Sequence, residues 1–87
     1  MESRHVTLRH WIESNFDPSA RLHINQYLPD FMIRRLFEES HGGFTVSKDE
    51  FAAIMLDIGF CGRQTRNFDW VFNISDAEYK KVLRGLR

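Results

Sequence analysis

Phe44-Thr45-Val46-Ser47-Lys48-Asp49-Glu50-Phe51-Ala52-Ala53-Ile54-Met55-Leu56-Asp57-Ile58-Gly59-Phe60 reads as one complete helix with both ends marked. The Ser47 hydroxyl stands where it accepts the orphan amide of Glu50, and the Glu50 carboxylate stands where it returns to Ser47, the reciprocal pairing of a capping box. Phe51, Ile54, Met55 and Ile58 fall at i, i+3, i+4 and i+7 and make one apolar stripe. Gly59 occupies the position where a helix stops in the left-handed conformation, and Phe60 follows as the apolar residue that folds back on the last turn. The spacing predicts a helix over 48–58 and puts it at the centre of the fold.

Upstream, Phe31, Met32, Ile33, Leu36 and Phe37 form a broad apolar face, with Arg34, Arg35, Glu38 and Glu39 on the wet side. A helix over about 29–40 is expected, with Pro29 in the first turn, Asp30 at the positive end of the dipole and His41-Gly42-Gly43 as the stop. Arg21-Leu22-His23-Ile24 alternates and predicts a short strand at 21–24. Before it, Leu8, Trp11, Ile12 and Phe16 define a helix over about 8–16. Thr7 is read as its N-cap, Val6 with Trp11 as a hydrophobic staple, and Asp17-Pro18 as its end. Residues 1–5 are read as loose.

Downstream, Cys61-Gly62-Arg63-Gln64-Thr65-Arg66-Asn67 is polar and turn-rich. Phe68-Asp69-Trp70-Val71-Phe72-Asn73-Ile74 then alternates, so a strand at 68–74 is expected to present Phe68, Trp70, Phe72 and Ile74 on one face, within a hairpin at 60–74. Ser75 and Glu78 repeat the capping-box spacing and open a last helix at about 76–84, with Tyr79, Val82, Leu83 and Leu86 as its stripe. Helix, short strand, helix, helix, hairpin and helix is the order of a winged-helix-like α+β domain. Residues 48–58 take the recognition-helix position there, and 62–67 the tip of the wing. A three-helix bundle carrying a hairpin is the competing architecture.

The 87 residues are expected to form one domain, and 43% hydrophobic with 28% charged places the chain among globular proteins. Eight Phe, two Trp and two Tyr enlarge the core, although a domain this short keeps a thin margin of stability. A single cysteine, Cys61, excludes an internal disulfide, and no apolar run is long enough to span a bilayer. A reduced, cytoplasmic protein without a membrane segment is the expectation. The formal net charge is zero, but residues 1–60 carry six Lys or Arg against nine Asp or Glu, and 61–87 carry six against three. The C-terminal third is therefore mildly cationic and permits contact with a polyanion.

Metal or catalytic chemistry finds little support. His5, His10, His23, His41 and Cys61 show no ligand spacing, and neither Gly42-Gly43 nor Gly59…Gly62 is followed by the Lys-Ser or Lys-Thr of a phosphate loop. No nucleophile–base pair is evident, so a non-enzymatic protein without metal or cofactor is expected. Phe68, Trp70 and Phe72 could form a stacking platform for single-stranded nucleic acid, against a plain core role. Arg63 and Arg66 suit phosphate or minor-groove contact from a wing, and Lys80, Lys81 and Arg84 on the last helix extend that basic set. The wet face of 48–58 is acidic, with Asp49, Glu50 and Asp57. A helix that reads base edges normally offers Arg, Lys, Asn or Gln, so this face argues against major-groove reading and for a protein partner.

Gly43-Phe44-Thr45-Val46-Ser47-Lys48-Asp49-Glu50-Phe51, Met55-Leu56…Gly59-Phe60 and Trp70-Val71-Phe72-Asn73-Ile74-Ser75, with Leu36-Phe37-Glu38 upstream, resemble a small winged-helix-like module of phage and mobile-element proteins. Such modules occur at the ends of phage-type primase-helicases, and the likeness covers about residues 28–75. It implies a phage or mobile-element origin and a binding role, and it carries over no catalytic residue. Two partners follow as expectations. One is nucleic acid, met by Arg63, Arg66, Lys80, Lys81 and Arg84. The other is a host protein or host defence complex, bound through Asp49, Glu50 and Asp57 as by an anti-CRISPR-like inhibitor. A homodimer would draw on similar physics, marked by any aromatic side chain that the fold leaves exposed.

Overall fold

A computed structural model describes residues 3–19 and 23–86. The chain is a small α+β domain with helices α1 (Arg4–Asn15), α2 (Asp30–Glu39), α3 (Lys48–Ile58) and α4 (Asp76–Gly85) and strands β1 (Gly62–Gln64) and β2 (Trp70–Phe72). No helix among the described residues is long and apolar enough to cross a membrane.

The middle helix has the predicted bounds. Ser47 caps it by accepting the Glu50 amide at 3.1 Å. Gly59 ends it with φ at 122°, and the Phe60 amide reaches back to the Met55 carbonyl at 3.1 Å. Phe51 and Met55 are wholly buried, and Ile54 nearly so. The reciprocal half of the expected box is missing, because the Glu50 carboxylate turns away from Ser47 toward α1. Of the two expected boxes, the one at Ser75 and Glu78, at the start of α4, is complete.

Helix α1 begins earlier than predicted. Ser3, not Thr7, is its N-cap and accepts the Val6 amide at 3.2 Å. Arg4 and His5 are therefore helical, and Val6 is an exposed residue of the first turn rather than the residue before the cap that a staple needs. Leu8, Ile12 and Phe16 supply the buried face, as expected. Of the strand expected at 21–24, residues 21 and 22 lie outside the described residues, and His23 and Ile24 are not in a strand. The segment after them takes that place in the sheet. The Asn25 amide donates to the Phe72 carbonyl at 2.9 Å, Asn25 Nδ2 donates to the Ile74 carbonyl at 3.1 Å, and Pro29 makes an antiparallel bridge with Val71.

The hairpin is shorter than the alternating run. Gly62 pairs with Phe72, Arg63 with Val71 and Gln64 with Trp70. The wing tip is consequently 65–69, not 62–67. Gly62 lies in β1 beneath the Phe72 ring, where an added Cβ would sit 2.5 Å from ring atoms. Alternation predicts one wet face, yet Val71, Phe72, Asn73 and Ile74 are all buried. Asn73 tolerates this because its Oδ1 accepts the Cys61 amide at 2.9 Å while its own amide donates to the Cys61 carbonyl at 3.1 Å. Phe68 leaves the strand face altogether and is 67% exposed.

Buried side chains from every helix and from β2 meet in a continuous cluster around α3. Most of its aromatic pairs pack edge to face. Trp11 lies against Phe16 and Phe37, Phe37 against Phe44, and Phe51 against Phe72 with centroids 6.1 Å apart. Such pairs favour the ring quadrupole and add modestly to the burial that drives folding.

Candidate functional site

Helix α1 lies against α3, and its polar edge pairs with Glu50 and Asp57 on the acidic face of that helix. Arg4 donates to Glu50 Oε1 at 3.2 Å and to the Thr45 carbonyl at 2.9 Å, and its guanidinium sits 4.6 Å from the Phe44 ring centroid. His5 Nε2 is 3.0 Å from Glu50 Oε2. Arg9 meets Asp57 and also pairs with Glu13 at 3.2 Å. An open groove between α1 and α3 therefore has basic residues on one bank, acidic residues on the other and Val6, Ala53 and Ile54 along its floor. Of Asp49, Glu50 and Asp57, only Asp49 has no partner among the described residues.

Burial pushes the Glu50 carboxyl up, but the bonds from Arg4 and His5 outweigh it and hold the group below its ordinary range. A carboxylate whose pKa is depressed on folding adds stability above its unfolded pKa and loses it as pH falls through the folded value. Glu50→Gln should therefore cost about 1 kcal/mol at neutral pH. The gap to the wild type should narrow as pH falls below the ordinary glutamate range and through the lower folded value. Denaturant melts at pH 7 and pH 3 measure this, and an undiminished gap at pH 3 would show that the pairing with α1 does not stabilise the fold.

Asp30 behaves in the opposite sense. Its carboxylate is wholly buried at the start of α2, with the Arg34 guanidinium 3.6 Å away. Burial raises its pKa, the charge of Asp69 adds to the rise, and Arg34 with the backbone amides of Phe31 and Trp70 offsets only part of it. Arg34 itself is held by the Val46 carbonyl at 2.9 Å, so the pair fastens α2 to the entry of α3.

The cations of the C-terminal third are placed differently. Arg63 on β1, Arg66 in the hairpin turn, and Lys80, Lys81 and Arg84 on α4 are all exposed. None of them has an ion-pair or hydrogen-bond partner among the described residues. The hairpin and α4 both pack on α2, which fixes the two groups to one scaffold.

The hairpin turn is tightly built. The Thr65 amide donates to the Asp69 carbonyl at 2.7 Å and the Phe68 amide to the Thr65 carbonyl at 3.0 Å. Thr65 Oγ1 accepts the Asp69 amide at 3.2 Å, and Gln64 Nε2 donates to the Phe68 carbonyl at 3.2 Å. Phe68 sits at φ 64°, the single non-glycine positive φ among the described residues. The residue that alternation assigns to the core is thus the exposed aromatic of the turn. Trp70 and Phe72 do stack, at 6.0 Å and 12°, but Phe72 is buried, so the three rings form no common platform.

Cys61 is exposed. Among the described residues no three His, Cys, Asp or Glu side chains gather where a metal ion could be held. Comparison of the chain with protein-family models, with curated proteins and with solved structures finds no match.

Proposed function

We propose that the chain is a non-enzymatic, winged-helix-like binding module of phage or mobile-element type that contacts nucleic acid through its hairpin and last helix. The reading of the fold draws support from the element order and from the segment at 25–29, which lies beside β2 as a first strand of a winged helix would. The observation that carries the function is the division of cations. Arg4, Arg9, Arg34 and Arg35 are each engaged by a carboxylate of the same molecule. Arg63, Arg66, Lys80, Lys81 and Arg84 are not, and Lys48 at the start of α3 is the remaining unpaired one among the described residues. Exposed, uncompensated cations on a rigid frame are what phosphate contact requires.

Titration of a short labelled duplex at 50 and 200 mM salt tests the proposal. Weak binding that falls steeply with salt is expected, each neutralised phosphate adding about 0.9 to the log–log slope. Replacing Arg63 and Arg66 together by Ala should reduce that slope by about 2. Absence of binding at low salt would refute the reading.

The rival partner, a host protein met by Asp49, Glu50 and Asp57, is disfavoured by the same geometry. Glu50 and Asp57 are already occupied by Arg4, His5 and Arg9, so a partner would have to displace α1's charges. Capture from host lysate with and without nuclease separates the two. A protein retained after nuclease treatment, and lost on reversing Asp49, Glu50 and Asp57, would favour the inhibitor.

A further inference from the structure

We infer that Phe68 is a stacking residue for an unpaired base, and that the module recognises a junction between duplex and single-stranded nucleic acid. The inference rests on the nucleic-acid reading above and deepens it. Residues 65–68 form a turn closed by the Phe68 amide on the Thr65 carbonyl, followed by the narrow Thr65–Asp69 pair. In a hairpin loop of this kind the residue at Phe68's position adopts the left-handed conformation and is ordinarily glycine. A bulky side chain there is a genuine outlier, since its Cβ crowds the backbone. The chain carries Phe at that position and holds it at φ 64°.

The consequence of that strain is exposure. Had Phe68 continued the strand, it would share the inner face with Trp70 and Phe72. Instead its ring is 67% exposed, and the turn's hydrogen bonds hold its backbone in place. Strained backbone that presents an apolar side chain to water does nothing for stability, and such outliers gather at functional sites. Arg63 on β1 and Arg66 in the same turn are exposed without internal partners, which favours a polyanion over an apolar protein surface. An aromatic ring among phosphate-binding cations is the arrangement that stacks bases. Wedging between paired bases costs unstacking energy that a single ring with two arginines has little means to offset. An unpaired base has already lost its partner, so it is the better ligand.

The test compares a blunt duplex with the same duplex extended by a single-stranded overhang carrying 2-aminopurine at the junction. Wild type, Phe68→Ala and Phe68→Tyr are titrated at low salt, with thermal melts confirming that each is folded. The wild type should prefer the overhang by about tenfold and quench the 2-aminopurine. Phe68→Ala should lose both the preference and the quenching while keeping blunt-duplex affinity and salt slope, and Phe68→Tyr should retain them. Equal wild-type binding to the two substrates, or an unchanged preference in Phe68→Ala, overturns the inference and leaves the nucleic-acid reading standing. No binding to either substrate overturns both. Self-association of the wild type that Phe68→Ala abolishes, without any loss on the overhang, assigns the ring to a protein contact and likewise overturns the inference.

Discussion

Phe51→Ala is expected to remove a third or more of the protein's stability. The side chain is 0% exposed, sits on the inward stripe of α3 and packs edge to face on Phe72. Removing a buried phenylalanine costs about 3–5 kcal/mol, the lost transfer energy plus the cavity left behind. A domain of this length has only about 5–10 kcal/mol in total. Leu56→Ala, on the opposite and 43% exposed side of the same helix, is the control and should cost less than about 1 kcal/mol. Urea melts of the two variants measure the difference. Equal stability would mean that α3 does not bury the face assigned to it.

Gly43→Ala should be comparably damaging, and Gly42→Ala much less so. A Cβ on Gly43 would lie 1.9 Å from the Phe37 carbonyl oxygen and 3.0 Å from that of Glu38, both backbone atoms at the end of α2. Backbone cannot swing aside as a flexible side chain can, so the turn between α2 and α3 must open. That turn sets how Phe44 reaches Phe37, at 4.9 Å between ring centroids, and how Arg34 reaches Val46. A loss of about 3 kcal/mol or more is expected. Gly42 has φ at 82° but nothing within 4 Å of an added Cβ. Only the left-handed penalty of about 1 kcal/mol applies there. Melting both variants distinguishes close approach from backbone conformation. A reversed order would place the constraint at the wrong glycine.

The contrast between these glycines shows what was legible in the chain. Gly42-Gly43 is readable as a helix stop, because stops are local. That Gly43 is needed for contact with a carbonyl is a tertiary fact. The middle helix was legible in its bounds and its buried stripe, since Ser47, Phe51, Ile54, Met55 and Gly59 all act within a few residues of one another, whereas the Glu50 half of the capping box was not. The start of α1 was not. Its first turn, Arg4 and His5, is polar and is held by Glu50 and Thr45, more than forty positions away. The same distance hid the fate of the acidic face, whose charges are visible in the sequence while the cations that meet them are not. Alternation over 68–74 located β2 but overran it at both ends. A left-handed residue at Phe68 reverses the side to which the chain points, and the segment at 25–29 covers the strand from the other side. Of the candidate site, the exposed cations were identified by composition alone. The exposed ring of Phe68 was not, because a phenylalanine in a glycine position leaves no signal in periodicity.

The placement of the two indoles has a practical consequence. Trp11 is lodged between Phe16 and Phe37 at the junction of α1 and α2, and Trp70 lies flat against Phe72 at the base of the hairpin. The molecule thus contains two intrinsic fluorophores in dissimilar surroundings, one belonging to the helical interior and the other to the arm that carries Arg63, Arg66 and Phe68. With Trp11 replaced by Phe, the remaining emission follows the hairpin as a ligand is added. With Trp70 replaced, it follows the docking of α1, so binding and unfolding can be observed in separate optical channels without any external label.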